Sequence, residues 1–464
     1  MGTGNELRRQ LGLASTTALI VGEVIGIGIF LTPSEMARAL GSPFWLLFVW
    51  LLMGAMTLCG ALCYGELAAR YPEAGGGYVY LREAFGRPMA FLYGWMSMLV
   101  VDPGIAAALG VGLASYAAAI VPLNSEGQRG VAIGTILLLA VVNCLGVRLG
   151  AGVIRALTLT KLGLLAFMAA WAFGRGLGDW GNFLPFVERH PVADPEPLGM
   201  ALAIGMMSGF FSFGGWWDVS KTAGEVRDPG QTMPRAMVLG VAIVTVAFVL
   251  VSAVSVYLVP IQEVTSSESF RERVGAALFG SVGGRLFSGA VVVVVLGSLC
   301  SILMSQPRVY FAMAADGLFV PLLARVHPRL GTPVRAIALQ AVLASSLILW
   351  KADFDTLLGY FMFTVVLLIA LSVASLFVLR RRPAPVGKLM WSGYPYTPVF
   401  YLAVSAVLLA LMGLRNPIGA AVGVGAVAAG LLAYRFLPGT SPGRQQGPGV
   451  SAVADSSQPS DPVL

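Results

Sequence analysis

The sequence predicts an all-α membrane protein with twelve transmembrane helices, arranged as a five-plus-five inverted repeat in which helices 1 and 6 are broken. Three observations predict this: the composition, the number of apolar windows, and a pair of glycine interruptions. Of the 464 residues, 57% are hydrophobic and 11% charged, whereas a soluble domain carries about 25% charge. A spanning helix needs about 20 apolar residues. Windows of that kind fall near 14–40, 44–66, 88–121, 130–147, 151–174, 198–217, 236–259, 281–306, 334–350, 356–379, 397–414 and 417–436. The first is interrupted at Gly22-Glu23-Val24-Ile25-Gly26-Ile27-Gly28-Ile29-Phe30, with Pro33 beyond, and the sixth at Phe210 to Trp217 around Gly214-Gly215. Glycine loosens a helix ladder, and hydrocarbon offers the freed N–H and C=O groups no partner. Taken singly, such glycines also read as close packing between helices. Taken as a pair, they mark the discontinuous helices of a binding site. The breaks lie five spans apart, an odd number that inverts topology, so spans eleven and twelve are appended to two five-helix repeats.

The remaining segments follow in order. Residues 1–11 form a polar N-terminal segment, 12–436 one membrane domain, and 437–464 a tail rich in Pro, Gly, Ser and Gln that buries too little apolar area to fold. With the N-terminus inside, 20 Lys and Arg, Lys221 and Arg308 among them, fall on inner segments and 9 on outer ones, with Lys161 within a span completing the 30. That bias places both termini on the cytoplasmic side, and the expected location is the cell (inner) membrane. It also explains the net charge of +7 without a nucleic-acid partner. The Gly-rich stretch 71–87 lacks the GK[ST] of a phosphate cradle, and reads as a re-entrant loop. Cys59, Cys63, Cys144 and Cys300 all lie in spans with no ligand-spaced Cys/His cluster, so neither metal nor cofactor is expected. No nucleophile–base set appears, which argues against an enzyme.

The breaks themselves carry the chemistry. If span one unwinds at Gly26 to Gly28, the N–H groups of Ile27, Gly28 and Ile29 open the second half-helix and suit a carboxylate. The carbonyls of Val24 and Ile25 close the first half and suit an ammonium, as do those of Phe211, Ser212 and Gly214 at the second break. Donors for an anion beside acceptors for a cation fit a zwitterion, an α-amino acid. Lys161 lies eleven residues after Gly150, about 16 Å deep at 1.5 Å per residue. A charge there costs about 2.5–3.5 kcal/mol even on the lenient insertion scale, so it requires a partner. It reads either as a structural tie or as an ammonium standing in for a coupling cation. Glu23 reads as a partner of Lys161, or as a carboxylate on the inner water path. Asp102 reads as a solvated outer carboxylate, with selection of cationic side chains as the alternative. Phe211 and Trp216 stand where an aromatic can close over a ligand.

Several segments together resemble the amino acid–polyamine–organocation superfamily, in particular its L-type amino acid transporter branch and bacterial permeases. They are Val21 to Pro33 (VGEVIGIGIFLTP), Pro72 to Gly86 (PEAGGGYVYLREAFG), Phe91 to Trp95 (FLYGW), Asn143 to Arg148 (NCLGVR), Leu157 to Leu162 (LTLTKL), Phe213 to Ala236 (FGGWWDVSKTAGEVRDPGQTMPRA), Arg308 to Gly317 (RVYFAMAADG) and Arg325 to Gln340 (RVHPRLGTPVRAIALQ). The resemblance implies a leucine-transporter-like fold and alternating access. It implies that Gly26, Ile27 and Gly28 bind the substrate carboxylate, that the carbonyls of Val24, Phe211, Ser212 and Gly214 receive the amine, and that Phe211 gates. Lys161 matches a lysine that takes the place of sodium in sodium-coupled relatives, with Ser298 its neighbour. The implied function is secondary active transport of neutral L-amino acids, sodium-independent, by exchange (as an antiporter) or with protons. A cationic amino acid or polyamine carrier, motivated by Glu23 and Asp102, is one alternative, and a sensor without turnover is another. Family members usually carry Ser or Thr where Ile27 stands, and animal members often Asn where Trp217 stands. The loop Pro122-Leu123-Asn124-Ser125-Glu126-Gly127 lacks the cysteine that bonds a heavy chain in animal members, so no disulfide-linked partner is expected.

Overall fold

The structure, a computed structural model, describes residues 7–190, 197–264, 267–350, 354–382, 392–415 and 417–436; the expected tail, 437–464, lies outside them. The described residues are almost wholly helical. Helices α1 (Leu13–Val24) and α2 (Gly28–Leu40) are joined by the first glycine break and bend by 45°. α2 ends where Gly41 turns left-handed at φ 59°, a conformation that glycine adopts without steric cost. α3 (Pro43–Arg70) follows, with Pro43 in its first turn, where a missing N–H costs nothing.

The stretch 71–87, expected as a re-entrant loop, instead contains a helix, α4 (Gly77–Phe85). Gly75 and Gly76 before it have φ of +121° and +54°, and they bring the chain hard against Ser220 and Lys221. α5 (Arg87–Met96) continues through a π-helical turn, Ser97–Val101, into α6 (Asp102–Ala118). α7 (Ser125–Cys144) and α8 (Val147–Gly174) come next. α9 (Leu198–Phe213) stops at Gly214, and the chain re-forms as a 3₁₀ turn, Asp218–Glu225. The second break is therefore Gly214 to Trp217, and Phe210 to Phe213 remain helical.

The rest is α10 (Pro229–Leu258), α11 (Ser267–Phe279), α12 (Gly283–Ser305), α13 (Pro307–Ala315), α14 (Val334–Trp350), α15 (Phe354–Leu379), a short strand Ser392–Pro395, α16 (Tyr396–Arg415) and α17 (Pro417–Arg435). Among the described residues, nine helical stretches are long and apolar enough to cross a membrane, ten if the bent α1–α2 pair counts as one, and two shorter apolar helices, Val334–Trp350 and Ala421–Arg435, accompany them.

The two broken segments sit together at the centre. α2 packs on α9 and α1 on α8, α10 and α12. Thr32 and Ser212 share a hydrogen bond of 2.7 Å across the α2–α9 contact. A Cβ on Gly28 would lie 3.0 Å from Ser212 Cα, so glycine is what lets the two backbones meet. At the other end, residues just before α1 pair with the end of the 3₁₀ turn: the Gln10 and Leu11 N–H groups donate to Glu225 O at 2.7 and 2.9 Å, and Arg227 N–H donates to Leu11 O at 2.8 Å. The start of the first broken segment is thereby tied to the end of the second.

Candidate functional site

A cavity of about 60 Å³ lies where the two breaks meet, several times the roughly 10–15 Å³ that one water requires. Gly26, Ile27 and Gly28 line it from the first break and Phe211, Ser212 and Gly214 from the second, with Glu23, Val24, Phe210, Trp217 and Asp218 beside them. Ile105 and Leu109 of α6, Ile302 of α12, and Met362 and Val365 of α15 complete an apolar wall. Ile27 is the N-cap of α2, and no side chain caps it. The first N–H groups of a helix have no partner within it, so the α2 terminus offers donors and the positive end of its dipole at the cavity. Gly215 takes φ +106°, and a Cβ there would lie 3.2 Å from Glu23 Cβ. Glycine at this position permits both the turn and the approach.

Lys161 is fully buried on α8. Its Nζ donates to the carbonyls of Gly22 (2.9 Å) and Ile25 (2.8 Å) and to Ser298 Oγ (3.2 Å), while Ser298 Oγ donates to Ile25 O at 2.9 Å. Three N–H donors thus meet three acceptors, two of them carbonyls freed by the first break. The Ile25 carbonyl, read from sequence as suited to a ligand ammonium, holds the ammonium of Lys161. A Cβ on Gly297 would come within 2.9 Å of Lys161 Cε, so that glycine makes the room. No carboxylate among the described residues forms an ion pair with Lys161; Glu23 is not its partner.

Asp102 corrects a second expectation. It is fully buried rather than solvated, and its Oδ1 lies 3.0 Å from Lys221 Nζ. Lys221, expected among inner loop charges, is 1% exposed and also reaches Asp218 at 2.9 Å. Arg308, from the same expected set, is buried with its Nε 2.9 Å from Glu225 Oε1. The physical reason is the second break: the chain beyond it folds inward as a 3₁₀ turn that carries Asp218, Lys221 and Glu225 between the helices. Gln306 Nε2 donates to Asp218 at 3.0 Å, and Gly75 N–H donates to Lys221 O at 2.9 Å. Arg82 fixes α4 in turn, donating to Asp316 at 2.8 Å and to Glu73 at 2.7 Å.

Of the residues singled out from sequence, Glu23, Val24, Gly26, Ile27, Gly28, Phe211, Ser212 and Gly214 converge on the cavity. Lys161 and Ser298 sit behind the first break. Trp216 is set apart: its ring packs edge-on against Tyr64 and Tyr401, at 5.1 and 6.1 Å. Trp217, its neighbour, lines the cavity and stacks on Phe210 at 6.2 Å. The sequence reading passed over Asp218, Lys221, Gln306 and Gly297. The usable signal is Asp218 and Lys221 three residues apart directly after an apolar run that ends at Trp217, since charges that close to a span require partners.

The chain is similar to known proteins over most of its length. A family model described as amino acid permease matches residues 11–434. The serine/threonine exchanger SteT of Bacillus subtilis (strain 168) is 32% identical over 411 residues, covering 87% of this chain and 91% of that protein. The large neutral amino acids transporter small subunit 2 of Rattus norvegicus is 29% identical over 442 residues, covering 93% and 81%. The Asc-type amino acid transporter 1 of Mus musculus is 29% identical over 427 residues, covering 90% and 79%.

Proposed function

The chain belongs to the amino acid permease family, and from that premise we propose that it carries neutral L-amino acids across the membrane by alternating access, without sodium. It is a multi-pass membrane transporter and not an enzyme. In this reading the bent α1–α2 pair, α14 and α17 all count as spans, twelve in all, forming a five-plus-five inverted repeat within a membrane domain at 12–436. Both termini are cytoplasmic.

The observation that carries the reading is the cavity between the breaks, with the uncapped start of α2 on one side and the end of α9 on the other. The N–H groups at Ile27, Gly28 and Ile29 take the substrate carboxylate, and the carbonyls of Val24, Phe211, Ser212 and Gly214 take its amine. Phe211 gates, and Trp217 limits the side chain. Ile27 offers only its backbone. The Lys161 ammonium occupies a nest of two carbonyls and a hydroxyl, a donor set that would otherwise suit a hard cation, which supports sodium independence. The relative named as a large neutral amino acids transporter supports the substrate class. The loop at 122–127 has no cysteine, so the chain works without a disulfide-linked heavy chain.

One experiment tests this. Purified protein in liposomes is assayed for uptake and counterflow of radiolabelled alanine, leucine, arginine and putrescine, in sodium and again in choline. Alanine or leucine is expected to move at equal rates in both media. A strict sodium requirement contradicts the role given to Lys161. Arginine or putrescine uptake alone would favour a cationic substrate, a reading for which Glu23 and Asp218 on the cavity wall are the specific support. Binding without counterflow would indicate a sensor.

A further inference from the structure

Glu23 stands out among the buried charges near the cavity. It is 5% exposed and lines the cavity, with the Ser305 hydroxyl as a neighbour, and it forms no ion pair among the described residues. The charges facing it are Asp218 and Lys221 on the 3₁₀ turn, Asp102 on α6, and Lys161 on α8. α10 and α12, also packed on α1, carry only Arg235 and Arg285 as charged residues, and both are exposed to the outside of the bundle's core.

Three carboxyl groups therefore face two ammonium groups. Lys161 is already committed to the carbonyls of Gly22 and Ile25 and to Ser298. Lys221 is shared between Asp102 and Asp218, and Asp218 has Gln306 as a second donor. Glu23 alone of the three carboxyls has no ammonium paired with it. A carboxylate without a counter-charge in a dry site is costly, and a single proton balances the set.

We propose that Glu23 is a proton-binding site of the cavity, taking up one proton as the cavity closes over an amino acid and releasing it where the cavity reopens. The proposal rests on the transport reading above and adds its coupling. When the cavity is open, water solvates the carboxylate. When it closes, water leaves and the carboxyl holds its proton. The proton comes from water on one side and returns to water on the other, and no other group is exchanged. The empty cavity keeps its water as it returns, so Glu23 crosses back as the carboxylate. The substrate zwitterion carries no net charge, so each cycle moves one positive charge, and a proton gradient drives accumulation.

Calorimetry of L-alanine binding to the purified full-length protein, at one pH in buffers of different ionisation enthalpy, counts the protons taken up with the ligand. The wild type is expected to take up about one proton per alanine bound, and Glu23→Asp to retain the uptake. Glu23→Gln is expected to take up none. Alanine binding by the wild type with no proton uptake overturns the proton site and leaves the transport reading standing. Undiminished uptake in Glu23→Gln also overturns it, because the proton then resides elsewhere. If alanine, leucine, arginine and putrescine all fail to bind to the folded wild type, the transport reading falls, and this proposal with it.

Discussion

Lys161→Ala is expected to lower amino acid uptake in proteoliposomes at least about tenfold. The substitution strips the ammonium from the Gly22 and Ile25 carbonyls and from Ser298. Ile25 O keeps the Ser298 hydroxyl, but Gly22 O is left without a donor, which for a buried acceptor costs about 1–3 kcal/mol, and about 1.4 kcal/mol is a factor of ten. The loss falls on the backbone of the first break, whose freed carbonyls have no partner in lipid. Lys161→Arg is not expected to rescue, because the larger guanidinium would crowd the space that Gly297 leaves. Uptake at the wild-type rate in Lys161→Ala would show that the lysine is dispensable and that the first break holds its shape without it.

Lys221→Met is expected to have the largest effect on stability, read as a drop in the thermal unfolding midpoint of the purified protein. Lys221 is the counter-charge for both Asp102 and Asp218, and all three are buried. Removing one partner of a buried ion pair costs about 3–5 kcal/mol, while replacing the whole set by neutral groups of similar size is often close to neutral. The triple variant Lys221→Met, Asp102→Asn, Asp218→Asn is therefore expected to recover most of the lost midpoint. If the single variant melts like the wild type, the pairs hold nothing together; if the triple variant is the less stable, the penalty does not come from stranded charge.

The contrast between these two lysines shows what the chain discloses about its own fold. Lys161 is legible because its depth can be counted along one helix: an apolar run on both sides leaves it no route to water, so a partner is implied. The first break is legible for a similar local reason, since Gly26, Gly28 and Pro33 disturb a single stretch. Lys221 is not legible in this way. Its partner Asp102 is 119 residues distant, and no periodicity within either segment says that α6 and the 3₁₀ turn touch. Counting Lys221 among loop charges assumed that the chain leaves the membrane after the second break. It folds inward instead, and the turn at Gly75 and Gly76 lies against it, Gly75 N–H donating to Lys221 O. Trp216 and Trp217 pose the same difficulty at shorter range. Adjacent aromatics point different ways once the helix has ended, and only the φ of Gly215 decides that Trp217 meets the cavity and Trp216 meets Tyr64.

The most direct measurement is competition against radiolabelled L-alanine by ligands that lack one end of the zwitterion. In the proposed reading the uncapped start of α2 at Ile27 and Gly28 takes the carboxylate, and the carbonyls at Val24, Phe211, Ser212 and Gly214 take the ammonium. Both ends are therefore required for binding. Unlabelled alanine is expected to compete, whereas alaninol, which has no carboxylate, and propionate, which has no amine, are expected to compete at least about tenfold less well, a loss of about 1.4 kcal/mol each. Alaninol or propionate competing as well as alanine would contradict a backbone grip on a zwitterion between the two breaks.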